Sequence, residues 1–73
     1  MKNEEYVLLK YIYEREQRKI YIRGFVSDEN VRIGRKLLQY EYIKNKLDLS
    51  WSEYFGVTET GEKALNEYNI PTN

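Results

Sequence analysis

A chain of 73 residues reads as one small domain over residues 1–73 and buries only about 60% of the surface its unfolded form exposes, so its packing has little margin. Its 12 Lys and Arg balance 12 Asp and Glu, which argues against a uniformly basic nucleic-acid coat, an acidic solvating tail and a membrane-surface peptide. With no cysteine there is no disulfide framework, thiolate nucleophile or cysteine-based zinc site, and a reducing compartment, the cytoplasm, is expected.

The acidic start, Met1-Lys2-Asn3-Glu4-Glu5, lacks the apolar core of a signal peptide, and no apolar run approaches the roughly 20 residues that span a bilayer. No membrane partner is expected. From Asn3 onward the pattern is helical: Asn3 can cap, Glu4 and Glu5 suit the positive end of a helix dipole, and Leu8, Leu9 and Ile12 recur at helical spacing. This predicts a helix over about 3–15. The charged stretch Glu14–Lys19 ends it, and Ile20-Tyr21-Ile22, β-branched and aromatic, reads as a short strand stopped at Arg23-Gly24. Ser27-Asp28-Glu29-Asn30 is a cap-and-acid cluster leading into Val31, Ile33, Leu37, Leu38, Tyr40 and Ile43, a helix over about 28–44. Gly34 inside it costs about 1 kcal/mol relative to Ala, which implies either close packing against another backbone or a kink. Leu47–Trp51 and Tyr54–Val57 read as two strand-like runs separated by Ser52-Glu53, a β-hairpin at about 46–57. Thr58 caps a last helix through Tyr68, with Ala64, Leu65 and Tyr68 on its buried edge and Pro71 as its stop.

This order of helix, strand, helix, hairpin and helix resembles a winged-helix domain. The run Val57-Thr58-Glu59-Thr60-Gly61-Glu62-Lys63-Ala64-Leu65 is similar to the strand-to-helix junction after the wing of small bacterial winged-helix regulators. Ile33 and Leu37 followed by Tyr42-Ile43 are similar to a recognition helix running into its wing. The resemblance covers roughly residues 30–68. It implies an α+β fold and DNA binding in transcription regulation or a mobile element. One departure stands out: a helix-turn-helix needs a positioning helix and a turn before the recognition helix, yet only eight residues separate Ile22 from Val31. Either the positioning helix is reduced to a loop, or the 28–44 segment is broken near Gly34.

Catalysis is poorly supplied, because with neither His nor Cys the usual general base and nucleophile are missing. The paired carboxylates Glu4/Glu5, Glu14/Glu16, Asp28/Glu29 and Glu59/Glu62 sit at helix ends or in charged runs, where capping and solvation account for them. The isolated glycines match no phosphate-binding fingerprint, and no metal or other cofactor is expected. Charge, in contrast, is uneven. Residues 15–46 carry nine cations against four acids. Arg32, Arg35, Lys36 and Gln39 lie three and four apart, opposite Ile33, Leu37 and Leu38, forming a basic stripe suited to phosphates or base edges or to plain solvation. Lys44 and Lys46 extend it.

Tyr21, Tyr40, Tyr42, Trp51 and Tyr54 lie among basic residues, where they could stack on unpaired bases or simply cover the core. Trp51, close to the hairpin tip, has the least core to reach. The expected site is therefore Arg32, Arg35, Lys36, Gln39, Lys44, Lys46 and Trp51, on a non-catalytic nucleic-acid-binding protein, DNA ahead of RNA. The alternative is an accessory module for a larger replication or transcription protein, with weak single-stranded DNA binding and an interface rich in aromatic and Arg contacts. A homodimer is compatible with either.

Overall fold

Helix α1, Asn3–Gln17, opens the computed structural model, which describes residues 1–68; the helix stop expected at Pro71 lies outside them. Its inward stripe is the expected one: Leu8, Leu9 and Ile12 are buried. The N-cap is Lys2 rather than Asn3. Asn3 instead accepts a hydrogen bond from the Tyr68 hydroxyl at 3.2 Å, joining the first helix to the last. Glu5, expected to cap the helix or to be solvated, is only 2% exposed and takes the capping role. Its Oε1 turns back to accept the Lys2 N–H at 2.9 Å, satisfying one of the donors that a helix start leaves open.

Both long helices end in the same way. At the end of α1 the chain turns through Lys19 at φ 61, with Lys19 N–H bonded to the Glu16 carbonyl at 3.0 Å and Ile20 N–H to the Arg15 carbonyl at 2.9 Å. Helix α2, Asp28–Gln39, ends through Glu41 at φ 64, with Glu41 N–H on the Leu38 carbonyl at 3.0 Å and Tyr42 N–H on the Leu37 carbonyl at 2.9 Å. This paired bonding is a Schellman motif, which usually places Gly at the left-handed position. Here Lys and Glu hold it. The predicted helix over 28–44 therefore stops at Gln39, and Ile43 and Lys44 pass into a strand. A left-handed non-glycine residue costs about 1–2 kcal/mol. Glu41→Gly is accordingly expected to raise stability by about 1 kcal/mol, a shift of about 4–8 °C in thermal midpoint for a domain of this size, read by circular dichroism.

Strands β1, Ile43–Leu47, and β2, Glu53–Val57, pair antiparallel with Ile43 opposite Val57, Lys46 opposite Tyr54 and Leu47 opposite Glu53. The hairpin thus begins earlier than predicted. Its turn is 48–52, not Ser52-Glu53, because the Asp48 side chain organises it. The strand predicted at Ile20–Ile22 shrinks to one bridge between Ile22 and Phe55. Residues 23–27 form a loop, so a loop stands in place of a positioning helix, and α2 continues unbroken through Gly34. Helix α3, Glu59–Tyr68, is capped as expected: Thr58 Oγ1 accepts the Gly61 N–H at 3.0 Å.

The α+β class read from the sequence is found, in the order helix, helix, hairpin, helix, without the strand expected between the first two helices. Leu9, Ile12, Leu37 and Ile43 are the most buried apolar side chains, joined by Leu8, Ile33, Val57 and Leu65. Helix α1 is the hub, packed on α2, β2 and α3. Leu38, expected on the inner face with Leu37, is exposed instead, since the partners of α2 cover a narrower stripe than its apolar residues span. Gly34 is explained by a ring rather than a backbone or a kink: a Cβ there would run into Phe25, which stacks on Phe55 with ring centroids 4.9 Å apart. No helix among the described residues is long and apolar enough to cross a membrane.

Candidate nucleic-acid interface

The helical period turns Ile33, Gly34 and Leu37 inward, leaving Arg32, Arg35 and Gln39 exposed and Lys36 half-buried on the outer side of α2. Arg32 is already engaged. Its Nη2 lies 2.7 Å from Glu29 and 3.3 Å from Glu4, which raises the guanidinium pKa, chiefly through the Glu29 hydrogen bond, and holds the Glu4 carboxyl below its usual range. Arg35 and Lys36 form no ion pair among the described residues. With Gln39 at the last turn they are the part of the predicted stripe free to meet a ligand.

Lys44 and Lys46 share one face of β1, since side chains two apart along a strand point the same way, yet their surroundings differ. Lys44 is exposed, with no ion pair among the described residues. Lys46 folds down: its Nζ donates to Glu16 at 2.9 Å and to the Val57 carbonyl at 3.1 Å, while Glu16 also accepts the Val57 N–H at 3.0 Å. This cluster fastens the hairpin to the end of α1. Gly56 makes room for it, because a Cβ there would strike the Lys46 stem and the Glu16 carboxylate. Lys46 thus acts as a structural tie, and Glu16, which looked like one charge in a solvated run, is its partner. Charge alone could not reveal a pair 30 residues apart.

At the hairpin tip Asp48 is the organiser. Its Oδ1 accepts the Ser50 N–H at 2.8 Å, the Ser50 hydroxyl at 2.7 Å and the Ser52 N–H at 3.1 Å, while Oδ2 forms a short ion pair with Arg23. The Ser50 hydroxyl first, and Arg23 next, hold this carboxyl well below the usual carboxylate range. Such side-chain bonding to nearby backbone is the device by which Asp builds turns. The turn fixes Trp51 at φ 63, its N–H bonded to the Asp48 carbonyl at 3.0 Å. A bulky residue there carries strain of about 1–3 kcal/mol. Trp51 is 79% exposed. Of the aromatic candidates, Tyr21 lies against Tyr54 and Tyr40 against Tyr42, at ring-centroid distances of 4.2 and 5.4 Å, so these rings have partners. Trp51 makes no ring contact among the described residues.

The predicted site therefore divides into an outer α2 face of Arg35, Lys36 and Gln39, an exposed Lys44, an exposed Trp51, and two cations, Arg32 and Lys46, committed to internal carboxylates. The sequence reading missed Arg23 and Asp48, although the alternation Asp48, Ser50, Ser52 is a turn signal. No family model, curated protein or solved structure matches this chain.

Proposed function

We propose that this chain is a small nucleic-acid-binding protein of winged-helix type, acting without catalysis in a reducing, cytoplasmic setting, in transcription regulation or a mobile element. The observation that carries this reading is the pair of cations on the outer side of α2, Arg35 and Lys36, which form no ion pair among the described residues and are continued by Gln39. Cations without internal partners keep their full attraction for phosphate, whereas an Arg held by two carboxylates must give up those contacts first. Gln39 adds an amide that can pair with a base edge. Arg32 serves this reading differently from the sequence expectation: it ties α2 to α1 through Glu4 and so supports the face rather than forming it.

Fluorescence anisotropy with labelled duplex and single-stranded oligonucleotides, DNA and RNA, tests the proposal. The parent should bind, and the double variant Arg35→Ala/Lys36→Ala should bind at least about 10-fold more weakly at low salt, since each hydrogen bond to a charged group contributes about 1.5–3 kcal/mol. Lys63→Ala, which removes an exposed cation from α3, should change nothing. Equal binding by parent and double variant, with loss of a protein partner in a pull-down instead, would favour the accessory-module reading.

A further inference from the structure

The hairpin tip holds a second feature that the α2 face does not use. Tyr21, Leu47, Asp48, Leu49 and Trp51 line an open cleft of about 580 Å³, within the size range of small-molecule sites. Leu47 and Leu49 are exposed, Leu49 fully. The walls are aromatic and aliphatic. The one carboxylate among them is taken up by Arg23, Ser50 and Ser52, so the cleft is close to neutral and gives phosphate no special hold. What it offers is ring faces and apolar contact.

We propose that this cleft holds an unpaired nucleobase stacked on the Trp51 indole, so that the preferred ligand is nucleic acid with a single-stranded segment. This rests on the nucleic-acid reading above and adds the form of its ligand. Paired bases in a duplex present edges to the grooves and keep their faces in the stack, so an exposed indole finds a flat partner only where a base is unpaired. Three observations converge on Trp51. Its ring is outside the core and has no aromatic partner among the described residues, while Tyr21 in the same cleft already lies against Tyr54, the two rings tilted by 35°. The turn that carries it is pinned by Asp48, so little freedom is lost when a ligand binds. Its backbone sits in the left-handed region, where Gly would be unstrained. The Asp48 turn holds this backbone in place, and strained positions of this kind recur at ligand-contacting sites.

Because Trp51 is the chain's sole tryptophan, its emission reports on the cleft alone. Titration with a short oligothymidylate should quench and shift that emission. Trp51→Ala should bind the same oligonucleotide roughly 5- to 150-fold more weakly, the range for loss of one stacked base, and Trp51→Phe should recover most of the loss. Affinity of both variants for blunt duplex should match the parent. Unchanged emission at saturation, or a Trp51→Ala protein that binds the oligonucleotide as tightly as the parent, would overturn the inference, while Arg35→Ala/Lys36→Ala would still report separately on the α2 face. A Trp51→Ala protein that keeps oligonucleotide binding but loses self-association or a protein partner would overturn it too, and assign the tip to protein contact. Absence of any oligonucleotide binding by the parent would remove the nucleic-acid reading and this inference together.

Discussion

Leu37→Ala should cost about 2–5 kcal/mol of folding stability, the range for a buried leucine whose cavity cannot fully collapse. Leu37 is 0% exposed and belongs to the same buried cluster as Leu9, Ile12, Ile33 and Ile43. Its carbonyl also accepts the Tyr42 N–H that closes α2, so the residue lies where helix, turn and hairpin meet. A domain of this length has a total stability of roughly 4–11 kcal/mol. The substitution therefore removes a large part of it, and urea denaturation followed by circular dichroism should show an early midpoint. A loss under about 1 kcal/mol would mean that the contact between α2 and α1 is looser than the buried cluster implies.

Gly61→Ala should also destabilise, by about 1–3 kcal/mol, although helix propensity alone would make Ala better by about 1 kcal/mol. The added methyl would overlap the Tyr42 carbonyl oxygen and press on the Val57 side chain. That oxygen is main chain, and it already accepts the Thr58 N–H at 2.9 Å, so it cannot turn aside as the end of a flexible side chain could. Relief requires α3 to move away from the base of the hairpin. Gly24→Ala is the control, since a Cβ there meets nothing within 4 Å; it should be neutral or slightly stabilising. Equal midpoints for the two variants in thermal melts would show that α3 is not held against Tyr42.

Most of the architecture was legible because local signals and burial agree. The spacing of Leu8, Leu9 and Ile12 placed α1, Ser27 and Thr58 marked the starts of α2 and α3, and the short distance from Ile22 to Val31 left either a loop there or a break near Gly34, of which the loop is found. The ends of α1 and α2 were harder to read, because Lys19 and Glu41 occupy left-handed positions where a sequence reader looks for Gly. That displaced the end of α2 and, with it, the start of the hairpin. Charged residues divided for a similar reason. Arg32 and Lys46 have the same composition signal as Arg35 and Lys44; Glu29 three residues before Arg32 is a local partner the spacing could show, whereas Glu4 and Glu16, brought in from α1, become partners only in the fold. Trp51 was legible as exposed but not as strained, since the turn that strains it is built by Asp48 and anchored by Arg23 from another part of the chain.

Binding through the outer face of α2 is tested most directly by the slope of log affinity against log salt, measured for the parent, Arg35→Ala and the double variant Arg35→Ala/Lys36→Ala on one oligonucleotide. Each phosphate contact removed should lower the slope by about 1, while thermal midpoints stay nearly unchanged because neither side chain belongs to the buried core. A slope that is the same for all three proteins would contradict binding through this face.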